Sequence, residues 1–150
     1  MAQDIVTIGS ATQDVYITSK ALRVIPSSSF ITKKGIALPL GSKVDIDSLH
    51  FTIGGGSINP AATFKNQGYK VAPMVVVGKD ARGEDITHFL KENRVSSDFV
   101  FYSKSDITAY SMILSTGQKG RTILEYEGVK WNLADQKIPW NKLKNTKWFY

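Results

Sequence analysis

Two spacings of hydrophobic residues alternate along the chain and together predict an α/β fold. The β-branched runs at residues 4–10 and 70–77 indicate buried strands, because strands covered on both faces carry apolar residues without polar alternation. Residues 84–92 carry apolar side chains at helical spacing, and residues 98–102 have the character of a third strand. With a helix also expected between the first two strands, this order predicts a parallel sheet flanked by helices.

The helix between those strands is expected to follow a run of glycines. Gly54–Gly56 end an extended segment, Asn59 is a good N-cap, and Pro60 suits the first helical position. Gly68 is placed to end this helix. Glycines before a helix N-terminus let backbone N–H groups approach a ligand, so the junction is a candidate site for hydroxyls, carboxylates or phosphates. Tight packing at a strand–helix junction would equally explain the glycines.

The remaining segments have mostly β character. Residues 15–53 are extended with a turn at 33–35, and the period-two alternation over 44–53 predicts strands with one wet face. Residues 108–126 are expected to form a hairpin that turns at 116–120.

The C-terminal part is predicted to hold two short helices and the start of a strand. The helical stretches lie between residues 132 and 144 and are interrupted near Pro139. The segment Lys147–Tyr150 has the apolar character of a strand that has just begun. Since no terminator follows it, we expect this chain to be part of a longer one.

Composition narrows the class of protein. The 150 residues are 42% hydrophobic and 21% charged, which supports a packed core in one domain or in part of one. The lack of cysteine excludes disulfides, thiolate zinc sites and cysteine nucleophiles, and it suits a cytoplasmic location. No apolar run approaches the roughly 18 residues of a membrane span, so no membrane partner is expected.

Charge and histidine patterns exclude further classes. The sequence has 19 Lys+Arg against 13 Asp+Glu, a net charge of +6, but the lysines are dispersed, so no nucleic-acid partner is expected. His50 and His88 are isolated, with no carboxylate or second histidine at ligand spacing, so no metal site is predicted. Ser10 and Ser57 have no evident partner base, and a hydrolase triad is unsupported.

Several spaced motifs resemble the N-terminal half of the ribokinase-like (PfkB) carbohydrate kinase family. They occur in the family's order and cover nearly the whole chain. In chain order they are the first strand with Asp14, the glycine motif of Gly55, Gly56, Asn59, Ala61, Gly68 and Gly78, the V-G-x-D-x-x-G stretch of Gly78, Asp80 and Gly83, and the lid hairpin of Thr108–Tyr110 with Gly120–Ile123. Ser57 and Pro60 depart from the family pattern, which leaves the shape of the glycine loop open.

The resemblance implies a ribokinase-like α/β fold in which residues 1–150 form the N-terminal half of a kinase domain. Residues of about 15–53 and 107–127 would form a small β-sheet lid. The full-length enzyme would transfer the γ-phosphoryl group of ATP, with Mg²⁺, to a hydroxyl of a sugar or nucleoside. The family's ATP-binding half carries a G-x-G-D motif with the catalytic base. That motif does not occur in this chain, so we expect no catalytic residue, no tight binding of ATP or Mg²⁺, and no activity from this part alone.

The same resemblance assigns roles to individual residues. Asp14 and Asn59 would bind acceptor hydroxyls, the backbone of Gly55 and Gly56 would pack against the acceptor, and Arg121 would reach phosphates from the lid. Plainer alternatives remain open: a turn residue at Asp14, a helix cap at Asn59 and a solvated side chain at Arg121.

Two functions from different classes remain open. One is the acceptor-binding half of a sugar or nucleoside kinase, and the other is a stand-alone binding or dimerisation module without catalysis. Lids commonly form the dimer contact in the family that this sequence resembles. The apolar stretch at 44–53 therefore predicts a homodimer through the lid.

Overall fold

The computed structural model describes residues 2–117, 120–130 and 132–150, which divide into two units. An α/β unit comprises residues 2–13, 53–110 and 126–150, and a β unit comprises residues 14–52 and 111–125. The predicted parallel sheet flanked by helices and the separate small sheet are both confirmed. None of the helices in the described ranges is long and apolar enough to cross a membrane.

The sheet of the α/β unit is parallel throughout and has the order β10-β1-β6-β7. Its strands are β1 (Ile5–Ile8), β6 (Val71–Gly78), β7 (Val100–Ser103) and β10 (Trp148–Phe149). All eight residues of β6 are buried, as its unbroken apolar sequence predicts for a central strand covered on both faces. The predicted strand start near residue 148 is therefore confirmed, and it pairs with β1.

An ion pair joins the two distant segments that bring β1 and β10 together. Lys147 Nζ lies 2.7 Å from Asp4 Oδ1, and the backbone N–H of Lys70 donates to Asp4 Oδ2 at 2.9 Å. These hydrogen bonds hold the pKa of Asp4 below its usual value. The carboxylate thus links β10, β1 and the residue before β6 at one end of the sheet.

Two helices cover one face of this sheet. The first, α1 (Ile58–Asn66), and the second, α2 (Ala81–Glu92), pack Ile58, Ala61, Ile86 and Leu90 against alternate residues of β6. The other face buries a smaller cluster that includes Met74, Phe99 and Leu143. Its cover is a 3-10 helix (Asn132–Asp135) and a short helix α3 (Trp140–Leu143), which confirms the two predicted helical stretches.

The start of α1 differs from the sequence prediction. The helix begins at Ile58 with Ser57 at the N-cap position, so Asn59 is not the cap and Pro60 is not the first helical residue. The cause is tertiary: the backbone N–H of Ser57 donates to Ser10 O at 3.0 Å, which holds the loop against the end of β1. Pro60 is tolerated in the first turn because its missing N–H would have no partner inside the helix. Gly68, with φ +93, follows the helix end as predicted.

The β unit is built mainly from a four-stranded sheet of order β5-β2-β8-β9. Its strands are β2 (Thr12–Thr18), β5 (Ser48–Gly54), β8 (Ala109–Ser115) and β9 (Arg121–Tyr126). The neighbouring β8 and β9 confirm the predicted hairpin, while Gln118 and Lys119 of its turn lie outside the described residues. A separate antiparallel hairpin pairs β3 (Arg23–Pro26) with β4 (Lys34–Ala37).

Two predicted features of the β unit are wrong in detail. The turn expected at residues 33–35 lies earlier, because Ser27 N donates to Lys33 O at 3.0 Å and closes the loop before β4 begins. The alternating segment 44–53 becomes a strand only from Ser48, and Leu49 and Phe51 remain exposed. Alternation therefore identified the strand here but not a buried face.

Candidate functional site

The carboxyl end of β1 meets the glycine loop that precedes α1. Gly56 N donates to Ser10 Oγ at 2.9 Å, and the buried Ser57 Oγ donates to Thr7 O at 2.8 Å. Gly55 has φ +112, and a Cβ on it would lie 2.4 Å from the backbone oxygen of Ser10. Gly55 is therefore required by the packing of the loop on β1, which supports the plainer of the two interpretations for this glycine.

Gly56 behaves differently from its neighbour. It is exposed, and a Cβ built on it would meet nothing closer than Ser10 Oγ at 3.6 Å. Packing within the protein therefore does not demand a glycine at this position. A bare backbone on the exposed side of a tightly held loop is suited to close approach by a ligand.

Asn59 lies in the first turn of α1 beside this loop. Its backbone N–H donates to Gly55 O at 3.2 Å, and its carbonyl accepts from Thr63 Oγ1 at 3.0 Å. Its exposed side-chain amide has no hydrogen-bond partner among the described residues. The capping interpretation is thus wrong, and the amide is available to a ligand.

The order of the strands makes the carboxyl end of β1 and the adjacent glycine loop a candidate ligand site. Strand β1 lies between β6 on one side and β10 on the other. The chain therefore adds β6 and β7 on one side of β1 and β10 on the other, so the strand order reverses at β1. At the end of β1, Ile8 N donates to Tyr150 O at 2.9 Å, and just beyond it Gly9 N donates to Met74 O at 3.4 Å. In open parallel sheets, ligands bind outside the carboxyl ends of the strands at such a reversal. Gly55, Gly56 and Asn59 are brought together there.

The other two predicted site residues belong to the β unit. Asp14 lies in β2 and is half-buried. Arg121 is the exposed first residue of β9. Their assigned contacts with an acceptor and with phosphates stay predictions.

Asp80 accepts several hydrogen bonds that the sequence analysis did not predict, although it had placed Asp80 in a motif. Its carboxylate accepts from the backbone N–H and the hydroxyl of Thr108, both at 2.7 Å, and from Gly83 N at 2.9 Å. As the N-cap of α2 it starts that helix at Ala81, so the predicted start at residue 84 is wrong. The Asp80–Gly83 spacing was the available signal. These bonds give Asp80 a structural role, joining the loop after β6 to the start of β8.

Replacing Asp80 with asparagine is expected to lower the free energy of unfolding by about 1–3 kcal/mol at neutral pH. Burial raises the pKa of Asp80, but the hydrogen bonds from Thr108 and Gly83 outweigh it and hold the pKa below 3.8. The carboxylate therefore stabilises the fold fully above the unfolded pKa, and this contribution is lost as the pH falls through the lower folded pKa. Denaturant titrations at a series of pH values check this.

The control for this variant is Glu84→Gln in the first turn of the same helix, which should change stability much less. A constant difference between wild type and Asp80→Asn from pH 7 down to pH 2 would contradict the assigned role.

The sequence interpretation that both histidines lack a nearby carboxylate is wrong for His88. His88 Nε2 lies 3.0 Å from Glu92 Oε1 on the exposed face of α2. Within residues 2–117, 120–130 and 132–150, no group of three or more histidine, aspartate or glutamate side chains is placed to hold a metal ion.

Three solved structures that share this fold are described as kinases. The structure matches a nucleoside kinase from Methanocaldococcus jannaschii, described as an archaeal member of the ribokinase family, at 16% identity and TM-score 0.73. The match covers 99% of this chain and 44% of that kinase. It matches Arabidopsis thaliana ribokinase complexed with ribose and ATP at 23% identity and TM-score 0.65, over 85% and 37% of the two chains. A Burkholderia thailandensis nucleoside kinase in complex with inosine matches at 14% identity and TM-score 0.63, over 83% and 36%.

The fold is therefore that of the ribokinase-like kinases. The model of the pfkB family carbohydrate kinases matches residues 2–150, and the chain belongs to that family. It spans well under half the length of these solved structures, from 36% to 44%. The comparison with curated proteins gives no match.

Proposed function

We propose that this chain is the acceptor-binding half of an ATP-dependent kinase that phosphorylates a hydroxyl of a sugar or nucleoside. The observation that carries the proposal is the exposed Gly56 backbone beside the unpartnered amide of Asn59, at the strand reversal beyond β1. An amide can both donate to and accept from neighbouring hydroxyls, as a polyol requires. Relatives solved with ribose and with inosine support this class of acceptor.

Each residue has a proposed task in binding the acceptor. The Gly56 backbone lets a ring approach closely, and the Asn59 amide orients its hydroxyls. Asp14 accepts hydrogen bonds from acceptor hydroxyls, and Arg121 contacts phosphate oxygens. ATP with Mg²⁺ would supply the transferred phosphoryl group. We propose that the remainder of the enzyme would hold it, since the family's G-x-G-D motif does not occur in this sequence.

Replacing Asn59 with alanine in the full-length protein is expected to weaken acceptor binding about 3–10-fold, the value of one or two neutral hydrogen bonds. Stability should not change, because the amide has no partner among the described residues. Calorimetric titration with ribose and with inosine checks the affinity, and thermal melting checks the fold.

The matched control is Asn66→Ala at the exposed far end of the same helix, which should leave affinity unchanged. Acceptor binding that is insensitive to Asn59→Ala would contradict the proposal. Release of ADP by the full-length protein with either acceptor and Mg-ATP tests the reaction itself. No ADP with any acceptor would favour the second candidate, a binding or dimerisation module without catalysis.

A surface suited to dimerisation favours that second candidate and is compatible with the first. Strand β5 lies at one edge of its sheet and exposes Leu49 and Phe51, and Ile46 just before the strand is exposed as well. Edge strands with exposed apolar side chains pair readily with a second copy. We propose a homodimer through this surface.

Sedimentation velocity of the full-length protein is expected to give a dimer that Phe51→Glu converts to a monomer, because a buried unpaired charge opposes association. His50→Glu, at the neighbouring exposed position of the same strand, should disturb the dimer less. A monomer for the wild-type protein at high concentration would contradict the proposed surface.

A further inference from the structure

The β unit carries a groove with two unlike ends. Its polar end has a volume of about 280 Å³, and the residues that line it include Thr32, Lys34, Thr116, Arg121 and Thr122. Its apolar end has a volume of about 700 Å³, and the side chains that make it apolar are Phe30, Ile31, Ile36, Leu38, Leu114 and Leu124. Lys34, Gly35 and Thr122 are among the residues that line both ends, so the two ends adjoin each other. We call this the amphipathic groove.

The polar end has an uncompensated positive charge. Lys34 and Arg121 both line it, and no aspartate or glutamate is among the described residues lining either end. Neither cation has an ion-pair partner among the described residues. Two cations at one small recess repel each other and attract an anion.

The hydroxyl groups of the polar end are not equivalent. Thr32 Oγ1 donates to Lys34 O at 3.0 Å and Thr116 Oγ1 donates to Gly120 O at 2.8 Å, so both are engaged in the loops that carry them. The Thr122 hydroxyl has no partner among the described residues and lies where the two ends meet. It can donate to an anion held beside the two cations.

The apolar end has a wall that is already formed. A Cβ built on Gly35 would lie 2.7 Å from Phe30 Cε2, so the phenyl ring packs directly on the bare backbone of β4. Phe30 is nevertheless 53% exposed, and Leu38 and Leu124 are exposed with it. Exposed apolar side chains gathered along one recess, with polar groups at one end, are typical of a ligand groove.

We propose that the amphipathic groove binds a small organic anion, whose apolar body lies against Phe30, Leu38 and Leu124 and whose anionic group is held by Lys34, Arg121 and Thr122. The volume suits a molecule of drug size, for which pockets of roughly 300–1,000 Å³ are usual. The anionic group is a phosphate, carboxylate or sulfonate. This site uses none of the residues of the glycine loop, although it shares Arg121 with the proposed phosphate contact of the kinase. Binding of an organic anion is measured without ATP or an acceptor, so its outcome is distinguishable from that of the phosphoryl transfer.

The test uses two fluorescent dyes that differ only in charge. 8-Anilinonaphthalene-1-sulfonate carries a sulfonate on the apolar body that N-phenyl-1-naphthylamine presents without it. Titration of the full-length protein should give saturable 1:1 binding of the sulfonate, about tenfold tighter than the neutral dye, as one charge-assisted hydrogen bond provides. Displacement by octyl phosphate and by octanoate then distinguishes the phosphate from the carboxylate as the preferred anion.

Variants of the groove residues test whether the dye binds in the amphipathic groove. The double variant Lys34→Gln with Arg121→Gln should abolish the preference for the sulfonate while leaving the neutral dye bound. Lys33→Gln, an exposed neighbour outside the groove lining, is the matched control and should change nothing. Leu124→Ser should weaken both dyes and, because this side chain is exposed, should not prevent folding.

Three outcomes would overturn the proposal. One is equal affinity for the two dyes, and another is an unchanged sulfonate preference in the double variant with normal melting. The third is dye affinity that falls as protein concentration rises while sedimentation shows a growing dimer, because a second copy would then be the occupant of the groove.

Discussion

Replacing Gly55 with alanine is expected to lower the free energy of unfolding by about 3 kcal/mol or more and to abolish acceptor binding. The residue has φ +112, and an added Cβ would lie 2.4 Å from Ser10 O and 2.9 Å from Ala11 Cα. Backbone strain of this kind and overpacking each cost about 1–3 kcal/mol. The obstructing atoms are backbone, so a side-chain rotation cannot relieve the clash.

Chemical denaturation of the wild type and of the Gly55→Ala variant measures the loss of stability. The matched control is a substitution at the next residue. Gly56→Ala adds the same methyl group where the nearest atom is 3.6 Å distant, so stability should be nearly unchanged. Acceptor affinity should still fall, because the methyl group is added to an exposed residue against which the acceptor is proposed to lie. Equal stability of the Gly55→Ala variant and wild type would show that the loop is not packed on β1 as described.

Replacing Asp14 with alanine is expected to weaken acceptor binding about 10–100-fold and to leave ATP affinity unchanged. A carboxylate that accepts hydrogen bonds from hydroxyls contributes about 1.5–3 kcal/mol, which corresponds to this range. Asp14→Asn keeps the shape and one acceptor oxygen, so it should retain part of the affinity. Calorimetric titration of the full-length protein with ribose, inosine and ATP measures acceptor affinity and ATP affinity separately.

Asp45→Ala is the control for a lost negative charge in the same unit, because Asp45 is an exposed carboxylate within residues 14–52. It should alter neither affinity. Equal loss of acceptor and ATP binding in the Asp14→Ala variant would contradict a role specific to the acceptor.

The parallel sheet was predictable because its signal is local. The unbroken apolar run at residues 71–77 is typical of a strand covered on both faces, and it forms the buried β6. Glycine at position 68 likewise marked the end of α1 correctly, since a positive φ favours glycine there.

The helix starts were not predictable from local preference. Asn59 is an excellent cap by type, yet the bond from Ser57 N to Ser10 O, across 47 positions of sequence, starts the helix earlier. At α2, Asp80 caps a turn whose apolar spacing is weak, so hydrophobic periodicity alone began that helix three residues late. Contacts distant in sequence therefore decide both boundaries.

The residues of the candidate site were predictable from the sequence, but the separate role of each residue was not. The sequence grouped Gly55 with Gly56, and only their surroundings separate a glycine demanded by packing from one where an added Cβ would make ordinary contacts. The amphipathic groove left no sequence signal, because its lining comes from two hairpins whose approach no motif encodes.

The pairing of β1 with β10 also has a consequence for biosynthesis. Ile5 opposes Trp148, so β1 obtains this neighbour only after a further 143 residues have been translated. Until then one backbone edge of β1 has no strand beside it, and closing so long a loop slows folding. A nascent chain stalled shortly before residue 148 would thus be most open to chaperones and proteases along β1.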